Sequence, residues 1–490
     1  MKNFQHHNST RAGTLAIVPV GLGSALIGAV LIGSLLVGVG QASATDMAFT
    51  TDTISVVNPV AVLAADFDND GYNDLAVAST ASNSIRLFLS NGNAPSTWWQ
   101  NTYASPSPWA LAIGDFNGDG RKDLVASNLL HGNLTLLLGA VFPNPITGPF
   151  VSPVTVNLPS GSSHPSDIEV GDLNADGFDD VVVVNRMSQT VAVLFGDGQG
   201  AFPSHAILPQ PTFPAAVAVG DFTGDGHDDL FVTNTHDSNF RIIHGNGVGA
   251  FPTTSTFALG VDDTIWSVTC KDVNGDLAPD IIAPCRQVGA VAILINTPGV
   301  APYFWAQTVV AGSQPAESTA TFLDADSNLD LVTVNSISDN VSLRFGTSPG
   351  NFEVTQTLLP AGQHCVSLSC TDLDGDGRTD IAVANQNGGT VTLFFNANEP
   401  FLRGDVNIDG HIDIGDVVRL LQYLFQLPDP LSCADSADVD DSGILDLGDV
   451  VLLLNQLFST ATAASTMASD CGEDVGADSL APCSYDVACP

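Results

Sequence analysis

The stretch Asp66-Phe-Asp-Asn-Asp-Gly-Tyr-Asn-Asp74 decides the fold, because its nine-residue pattern returns along most of the chain. Further copies, complete or altered, open at Asp115, Asp172, Asp221, Asp272, Asp324 and Asp372. The step between openings is about 50 residues, the period of an array of similar units that bury a core only by packing together. Seven openings therefore predict seven units.

The chemistry of the pattern indicates a calcium loop. Acidic or amide side chains stand at positions 1, 3 and 5, except for the weaker ligand Thr223 at position 3 of the fourth copy, an acid stands at position 9, and a glycine stands at position 6. Oxygen ligands crowded onto so short a loop suit Ca²⁺. Two copies depart from the pattern. The fifth has Leu277 at position 6, where a left-handed backbone costs a residue with a Cβ about 1 kcal/mol. The sixth, residues 324–330, lacks two residues and the glycine, so we expect no ion there.

The charge balance excludes several classes of partner. The chain has 490 residues, enough for two or more domains, with 13 Lys and Arg against 53 Asp and Glu, a net charge of −40. Nucleic acid and anionic membrane surfaces attract basic proteins, so neither is an expected partner.

The N-terminus has the pattern of a secretory signal. Lys2 and Arg11 precede an apolar run over residues 15–39, and Ala42-Ser43-Ala44 follows as a small-x-small cleavage site. We predict a signal peptide over residues 1–44, cleavage after Ala44 and no membrane insertion afterwards. The alternative is a retained N-terminal anchor, since the run is long. Either reading predicts a secreted, extracellular or cell-surface protein.

Eight cysteines in such a compartment suggest disulfides. No Cys-x-x-Cys pair is present, which argues against zinc and thioredoxin-like chemistry. We predict Cys433–Cys471 and Cys483–Cys489 bonds. Cys270 and Cys285 flank one calcium hairpin and are a candidate bridge between its strands.

Each unit has the strand pattern of a β-propeller blade. In the fourth unit, short apolar strands are expected over residues 215–222, 230–233, 240–243 and 253–259, separated by Asx and Gly turns. We predict a seven-bladed all-β propeller over residues 45–400. The last unit lacks a fourth strand, and residues 47–56 match the fourth strand of the fourth unit, so the N-terminal strand should complete the seventh blade. An open β-helix would need no such partner.

These residues resemble the FG-GAP/VCBS repeat family, known from the propeller of integrin α-subunits and from bacterial surface proteins. The Gly-x-Gly-x-Gly-x-Phe turns at 196–202 and 245–251, beside the Asp loops, carry the resemblance. It implies about six Ca²⁺ in the propeller, each held in a β-hairpin. The implied side-chain ligands are Asp66, Asp68, Asp70, Asp74, Asp115, Asn117, Asp119, Asp123, Asp172, Asn174, Asp176, Asp180, Asp221, Thr223, Asp225, Asp229, Asp272, Asn274, Asp276, Asp280, Asp372, Asp374, Asp376 and Asp380. The implied backbone carbonyl ligands are Tyr72, Arg121, Phe178, His227 and Arg378.

After residue 400 the hydrophobic period changes from 2 to 3.6, and two twelve-residue acidic loops each precede an apolar helix face. The tandem pair resembles a dockerin, with Asp at position 12, and is expected to form a small EF-hand-like α-helical domain over residues 402–460 with two Ca²⁺. The implied ligands are Asp405, Asn407, Asp409, His411, Asp413 and Asp416 in the first loop, and Asp438, Asp440, Ser442, Ile444, Asp446 and Asp449 in the second. Dockerins bind cohesins, which implies a cohesin-like partner. However, Ile414-Gly415 and Leu447-Gly448 replace the Ser/Thr common at the recognition positions, so a calcium-stabilised helical pair without a partner stays open. Residues 461–490 are expected to be a linker and a Cys-containing tail.

Chain direction predicts two different propeller faces, with the calcium loops on one. By analogy with integrin propellers, the other is the expected ligand face. Trp109 and Trp266 stand six residues before a loop and should start first strands near that face, and His164 and His364 stand eight residues before a loop. Aromatic side chains at a channel mouth suit sugars or peptide side chains. Packing between blades is the alternative reading for them.

The function these features favour is recognition. We expect a secreted, calcium-binding, non-catalytic adhesion or binding protein, whose partner is an extracellular protein or a glycan and whose dockerin-like module is a tether. No nucleophile elbow, metalloprotease motif or phosphate loop appears in the sequence. The alternative is a dockerin-borne polysaccharide-degrading enzyme, a propeller lyase or glycoside hydrolase. An acid–base cluster away from the calcium loops would favour it, and no Glu obviously pairs with a second carboxylate there.

Overall fold

The computed structural model describes residues 48–397 apart from six short gaps, at 93–94, 145–147, 236–238, 259–264, 298–303 and 325–327. In the C-terminal region it describes residues 414–426 and 445–458, with four isolated positions between 406 and 439. The predicted signal segment, the tail and most of the predicted C-terminal calcium ligands lie outside the described residues.

The N-terminal strand is followed by three blades, each a four-stranded antiparallel sheet. The N-terminal strand is β1 (Ala48–Ser55), and blade one consists of β2 (Pro59–Ala65), β3 (Asp74–Ser79), β4 (Ser84–Leu89) and β5 (Trp99–Ala104). Blade two consists of β6 (Pro108–Gly114), β7 (Asp123–Asn128), β8 (Asn133–Leu137) and β11 (Val154–Asn157), with the added hairpin β9 (Gly139–Asn144) and β10 (Gly148–Phe150). Blade three consists of β12 (Pro165–Gly171), β13 (Asp180–Asn185), β14 (Thr190–Phe195) and β15 (Ser204–Pro209). A 3₁₀ turn, Pro95–Thr97, joins β4 to β5.

Blades four to seven repeat the arrangement. Blade four consists of β16 (Pro214–Gly220), β17 (Asp229–Asn234), β18 (Asn239–His244) and β19 (Thr253–Ala258), and blade five of β20 (Thr269–Lys271), β21 (Asp280–Cys285), β22 (Ala290–Asn296) and β23 (Phe304–Val310). Blade six consists of β24 (Pro315–Thr321), β25 (Asp330–Asn335), β26 (Asn340–Arg344) and β29 (Thr357–Pro360), with the added hairpin β27 (Gly346–Ser348) and β28 (Asn351–Phe352). Blade seven consists of β30 (Cys365–Thr371), β31 (Asp380–Asn385), β32 (Thr390–Ala397) and the N-terminal strand β1. Seven blades are present, as the seven pattern openings predict.

The N-terminal strand closes the ring, as the sequence predicts. Strand β1 pairs antiparallel with β32 over its whole length, from Ala48 opposite Ala397 to Ser55 opposite Thr390. The first and last parts of the propeller therefore share one sheet. Because that sheet holds both ends of the repeat array together, the propeller is a closed ring rather than an open solenoid.

The core lies between neighbouring blades. The second strand of each blade is buried along its whole length, and most first strands contain both buried and partly exposed positions. One apolar cluster joins Leu134 and Leu136 of blade two to Ile168 and Val181 of blade three. No blade could bury these faces alone, which is the property that the period of about 50 residues predicts.

Two helices follow the propeller in the chain, α1 (Ile414–Gln426) and α2 (Leu447–Phe458). One apolar face of each meets in a shared cluster that includes Leu420 and Leu453. Among the described residues, no helix is long and apolar enough to cross a membrane.

The candidate Cys270–Cys285 disulfide is wrong. Cys270 on β20 lies opposite Ile281 on β21, and Cys285 is four residues further along that strand. At about 3.3 Å per residue the two are much too far apart for a disulfide. No disulfide joins any described cysteine. The four C-terminal cysteines lie outside the described residues, so the other two pairings stay predictions.

Candidate functional sites

The pattern loops fold so that their side-chain oxygens face their own backbone. In blade two, Asp115 accepts hydrogen bonds from the amides of Asp119 (Oδ1, 3.0 Å) and Gly120 (Oδ2, 2.8 Å). Asn117 accepts from Asp119 (3.0 Å), and Asp119 accepts from Arg121 (2.9 Å). Related bonds recur in the other complete loops. The oxygens at positions 1, 3 and 5 are therefore oriented toward the inside of the loop.

Two loops gather oxygens at a spacing that suits a calcium ion. In blade one, one carboxylate oxygen from each of Asp66, Asp68 and Asp74 lies within 4.8 Å of the others. In blade seven, Asp372, Asp374 and Asp376 do the same. Calcium–oxygen bonds are about 2.3–2.6 Å long, so oxygens of one coordination shell are at most about 5 Å apart. The residues present fit Ca²⁺.

The fifth loop keeps the backbone shape despite its leucine. Leu277 has φ +70° and its side chain is 92% exposed. Its amide donates to Asp272 Oδ2 (2.8 Å), as the glycine amide does in the other loops. The strain expected from the sequence is therefore present, and the loop remains formed. In the sixth loop, residues 325–327 lie outside the description.

Position 9 has a structural role that the sequence analysis missed. In blade six, Asp330 is fully buried and accepts the amides of Leu323 (2.7 Å) and Gly346 (2.8 Å). The same pair of bonds, from seven residues upstream and from 16 residues downstream, recurs at Asp74, Asp123, Asp180, Asp280 and Asp380. At Asp229 the downstream donor is the same, and the upstream donor is Thr223, six residues before it. The clue in the sequence is that the truncated sixth copy keeps this aspartate.

The acidic surroundings favour a cation in these loops. Burial, followed by the charges of Asp70 and Asp66, raises the pKa of Asp68 to about 6. Burial also raises the pKa of Asp74 to about 8, with a smaller contribution from Asp68. A divalent cation would stabilise the ionised forms of these crowded carboxylates.

The turns between second and third strands and the connections between blades form the face away from the calcium loops, the opposite face. His164 and His364 lie there, each with positive φ directly before a first strand. Their carbonyls accept the amides of Arg186 and Gln386. Ser107 and Gln314 do the same in blades two and six, so this backbone role does not require histidine. The backbone of both histidines forms a turn before a first strand, and a ligand role for their side chains stays a prediction.

Trp266 has the most distinctive surroundings of the four predicted face residues. Its ring is 38% exposed, and the guanidinium carbons of Arg186 and Arg286 lie 4.1 Å and 5.5 Å from its centroid. These arginines come from blades three and five and were not singled out in the sequence. Trp109 is half-buried, and both tryptophans border the central channel.

The first strands of all seven blades surround a central channel of about 690 Å³. Asp167 and Glu169 of blade three and Glu317 of blade six reach its wall. Asp167 Oδ2 accepts the amide of Val217 (2.9 Å), and Glu317 Oε2 accepts that of Leu368 (3.1 Å), so each links neighbouring first strands.

These three carboxyls form an acidic group outside the calcium loops, which the sequence did not indicate. Burial raises the pKa of Asp167 to about 7, and Glu317 adds to it. Burial and then Asp167 raise the pKa of Glu169 to about 8, while burial raises that of Glu317 to about 7. The pKa values of all three carboxyls are therefore raised from the acid range toward neutral pH.

We expect Glu169→Gln to stabilise the protein at pH 8 but not at pH 4.5. The folded chain keeps the Glu169 proton up to about pH 8, against 4.5 for an unperturbed glutamate. The contribution of Glu169 to the free energy of unfolding is therefore full below pH 4.5, where the residue is protonated in both states, and is lost as the pH rises through about 8. Asp167, Glu317 and the Cys270 thiol are the groups coupled to it. Urea unfolding of both chains in Ca²⁺ at the two pH values measures the difference, and parallel pH curves would contradict it.

The C-terminal region shows a smaller part of its predicted sites. Asp416 and Asp449, at position 12 of the two predicted loops, are fully buried. Asp449 accepts the amides of Val439 and Asp446, each at 2.8 Å. The predicted ligands Asp405, Asn407, Asp409, His411, Asp413, Asp438, Asp440, Ser442 and Ile444 lie outside the described residues.

Comparison with known proteins agrees with this architecture. The FG-GAP-like repeat family matches residues 66–126, 172–232, 221–283 and 323–383. Each match begins at or beside a pattern loop. The seven sheets and these matches define the class: the chain contains a seven-bladed β-propeller, and four stretches of it match FG-GAP-like repeats. No curated protein matches the chain.

Solved structures share the fold at low identity. BBS1N in complex with ARL6DN is 12% identical with a TM-score of 0.52, and the match covers 71% of this chain and 97% of that one. Virginiamycin B lyase from Staphylococcus aureus is 11% identical with a TM-score of 0.49, covering 71% and 99%. A putative 6-phosphogluconolactonase from Bacteroides uniformis is 16% identical with a TM-score of 0.47, covering 70% and 93%. The first likeness shows the fold alone, and the other two add nothing to it.

Proposed function

We propose that this chain is a secreted, calcium-braced, non-catalytic recognition or adhesion protein that binds an extracellular protein or a glycan on its opposite face. The observation that carries the proposal is the partly exposed Trp266 at the channel mouth, held against two arginines. Exposed indoles and guanidiniums are the side chains that most often anchor ligands at protein surfaces.

Calcium has a bracing role in this proposal. The loop oxygens come from both sides of the hairpin that joins the first and second strands, so one ion ties two strands of a blade together. Carboxylates that would repel each other are neutralised at the same time. About six ions in the propeller and two in the C-terminal pair would account for much of the acidic excess.

The helical pair is proposed as a dockerin-like tether for a cohesin-like partner. Its support is the repeated arrangement in which a buried aspartate, Asp416 or Asp449, stands in the first turn of an apolar helix. Pull-down with a cohesin panel tests it, and the double variant Asp416→Ala/Asp449→Ala should lose any capture that Ca²⁺ supports.

Screening the mature chain, residues 45–490, against a glycan array and a panel of extracellular proteins tests the main proposal. We expect Trp266→Ala to weaken the ligand it identifies by at least about tenfold, the loss typical of an anchor residue. Lys122→Ala, on an exposed calcium-loop residue, is the matched surface control and should bind as the parent does. If the ligand binds Trp266→Ala as tightly as the parent but binds Lys122→Ala more weakly, recognition lies on the calcium-loop face and the proposal is wrong.

A polysaccharide-degrading enzyme is the second candidate, and the channel carboxyls are the observation that favours it. A carboxylic acid whose pKa is raised toward neutrality can donate a proton to a leaving group while a neighbouring ionised carboxylate assists. Release of new chain ends from a polysaccharide panel, abolished by Glu169→Gln, would establish this function and sink the non-catalytic proposal.

A further inference from the structure

The two faces of the propeller differ in charge. The pattern loops place their acids on the calcium-loop face. On the opposite face, the described turns and blade connections contain one acid, Asp339, whose Oδ1 accepts the amide of His364 (2.7 Å). Arg186 and Arg286 lie on this same face, beside Trp266. The same turns and connections contain three further acids in the sequence, Asp237, Asp262 and Asp263, which lie outside the described residues, against 23 aspartates at the pattern positions of the loops. In a chain with a net charge of −40, the opposite face therefore repels a negatively charged ligand less than the calcium-loop face does.

The two arginines are held at one indole. Arg186 is half-buried, and its guanidinium forms no ion pair and donates no hydrogen bond within the part of the chain that the structure describes; its contact is the Trp266 ring. Burial lowers the pKa of the Arg186 guanidinium. Arg286 donates to two neutral acceptors, Gln314 Oε1 (3.2 Å) and Ser336 Oγ (3.4 Å). A guanidinium held in place in this way can bind a carboxylate through two parallel N–H donors.

A groove leads away from this pair between blades five and six. It encloses about 570 Å³ and begins at Arg286. Beyond Arg286, its polar lining is made of amide and hydroxyl side chains and contains no acid. These side chains are Gln287, Ser313, Gln314, Ser338, Asn340 and Gln356. Such a lining offers both hydrogen-bond donors and acceptors, which match the hydroxyl groups of a sugar chain better than the side chains of an acidic peptide.

We propose that the opposite face binds an acidic polysaccharide, with a uronate carboxylate at Arg186 and Arg286 and the neighbouring sugars in the groove between blades five and six. The inference rests on the proposed recognition function and names its ligand class. Trp266 is a positioning residue that holds the two guanidiniums at the channel mouth.

Titration of the mature chain with hexameric oligogalacturonate, at fixed Ca²⁺ and low salt, tests this proposal. The matched probe is the methyl-esterified hexamer, which keeps the sugar rings and removes the charge. We expect the ester to bind at least about tenfold more weakly, and Arg186→Gln to reduce affinity for the acid by at least about tenfold with little effect on the ester. Affinity for the acid should also fall with added salt.

Arg86→Gln is the matched control variant. Arg86 also lies over an aromatic ring, Phe88, at 5.0 Å, but on the third strand of blade one. The Arg86→Gln substitution removes the same charge from the protein as Arg186→Gln does, and it should leave the affinity for the oligogalacturonate unchanged. Melting temperatures of both variants in Ca²⁺ verify that they fold.

The outcomes separate the ligand class from the recognition function. Equal binding of acid and ester, or an Arg186→Gln variant that binds the acid as the parent does, overturns the uronate proposal. Binding of polyglutamate that depends on Arg186, together with no binding of the oligogalacturonate, also overturns it. A neutral glycan or a protein that binds through Trp266 would then leave the recognition function standing. If nothing in the panels binds the opposite face, both proposals fail.

Discussion

Removing Ca²⁺ with EGTA should lower the melting temperature of the propeller by about 10 °C or more. Each site at a free Ca²⁺ concentration 100-fold above its Kd contributes about 2.7 kcal/mol to stability, and the proposed sites act together. The physical reason is the clustering of like charges: the carboxylates of Asp66, Asp68 and Asp74 crowd within 4.8 Å, as do those of Asp372, Asp374 and Asp376. Differential scanning calorimetry with Ca²⁺, with EGTA and after Ca²⁺ is restored measures the effect.

Variants of one loop provide the control. Asp115→Ala should reproduce part of the loss in Ca²⁺ and little of it in EGTA, because Asp115 is a proposed ligand at position 1. Calorimetric titration of the mature chain should count about six ions in the propeller and two in the C-terminal pair. A melting temperature that does not respond to EGTA would contradict a bracing role for calcium.

Asp330→Ala should destabilise the propeller by about 3–5 kcal/mol, and by the same amount with and without Ca²⁺. Asp330 belongs to the truncated sixth copy, yet it is fully buried and accepts two backbone amides at 2.7 and 2.8 Å. Its removal leaves the amides of Leu323 and Gly346 without that acceptor inside the protein. Urea unfolding in Ca²⁺ and in EGTA measures the cost.

Asp119→Ala is the matched comparison for Asp330→Ala. Asp119 is exposed at position 5 of a complete loop, so its substitution should cost stability chiefly when Ca²⁺ is present. The two variants thus separate the ligand role of the loop from the backbone role of position 9. A cost at Asp330 that appears only in Ca²⁺ would mean that the sixth loop binds an ion and that its amide bonds contribute little.

The parts of the fold that depend on short segments could be predicted from the sequence. The Asp-x-Asp-x-Asp-Gly spacing, the strand pattern and the unpaired last unit predicted seven blades closed by residues 47–56, and β1 pairs with β32 accordingly. The turn position of Leu277 was also predicted, because φ +70° follows from its place in a nine-residue loop. The Cys270–Cys285 pairing failed because it relied on separation along the chain and ignored the strand register.

What the sequence by itself determined is the repeat, the blade and the inward-facing oxygens of the complete loops, since these follow from contacts within about 50 residues. It also determined the closure of the ring, because the fourth strand that the last unit lacks is present at residues 47–56. Only the tertiary structure decided which side chains meet across the ring. Closure brings Asp167 and Glu169 of blade three together with Glu317 of blade six in the channel, and places Arg186 of blade three over Trp266 of blade five. No local pattern specifies these meetings, because they depend on how the blades are arranged around a common axis.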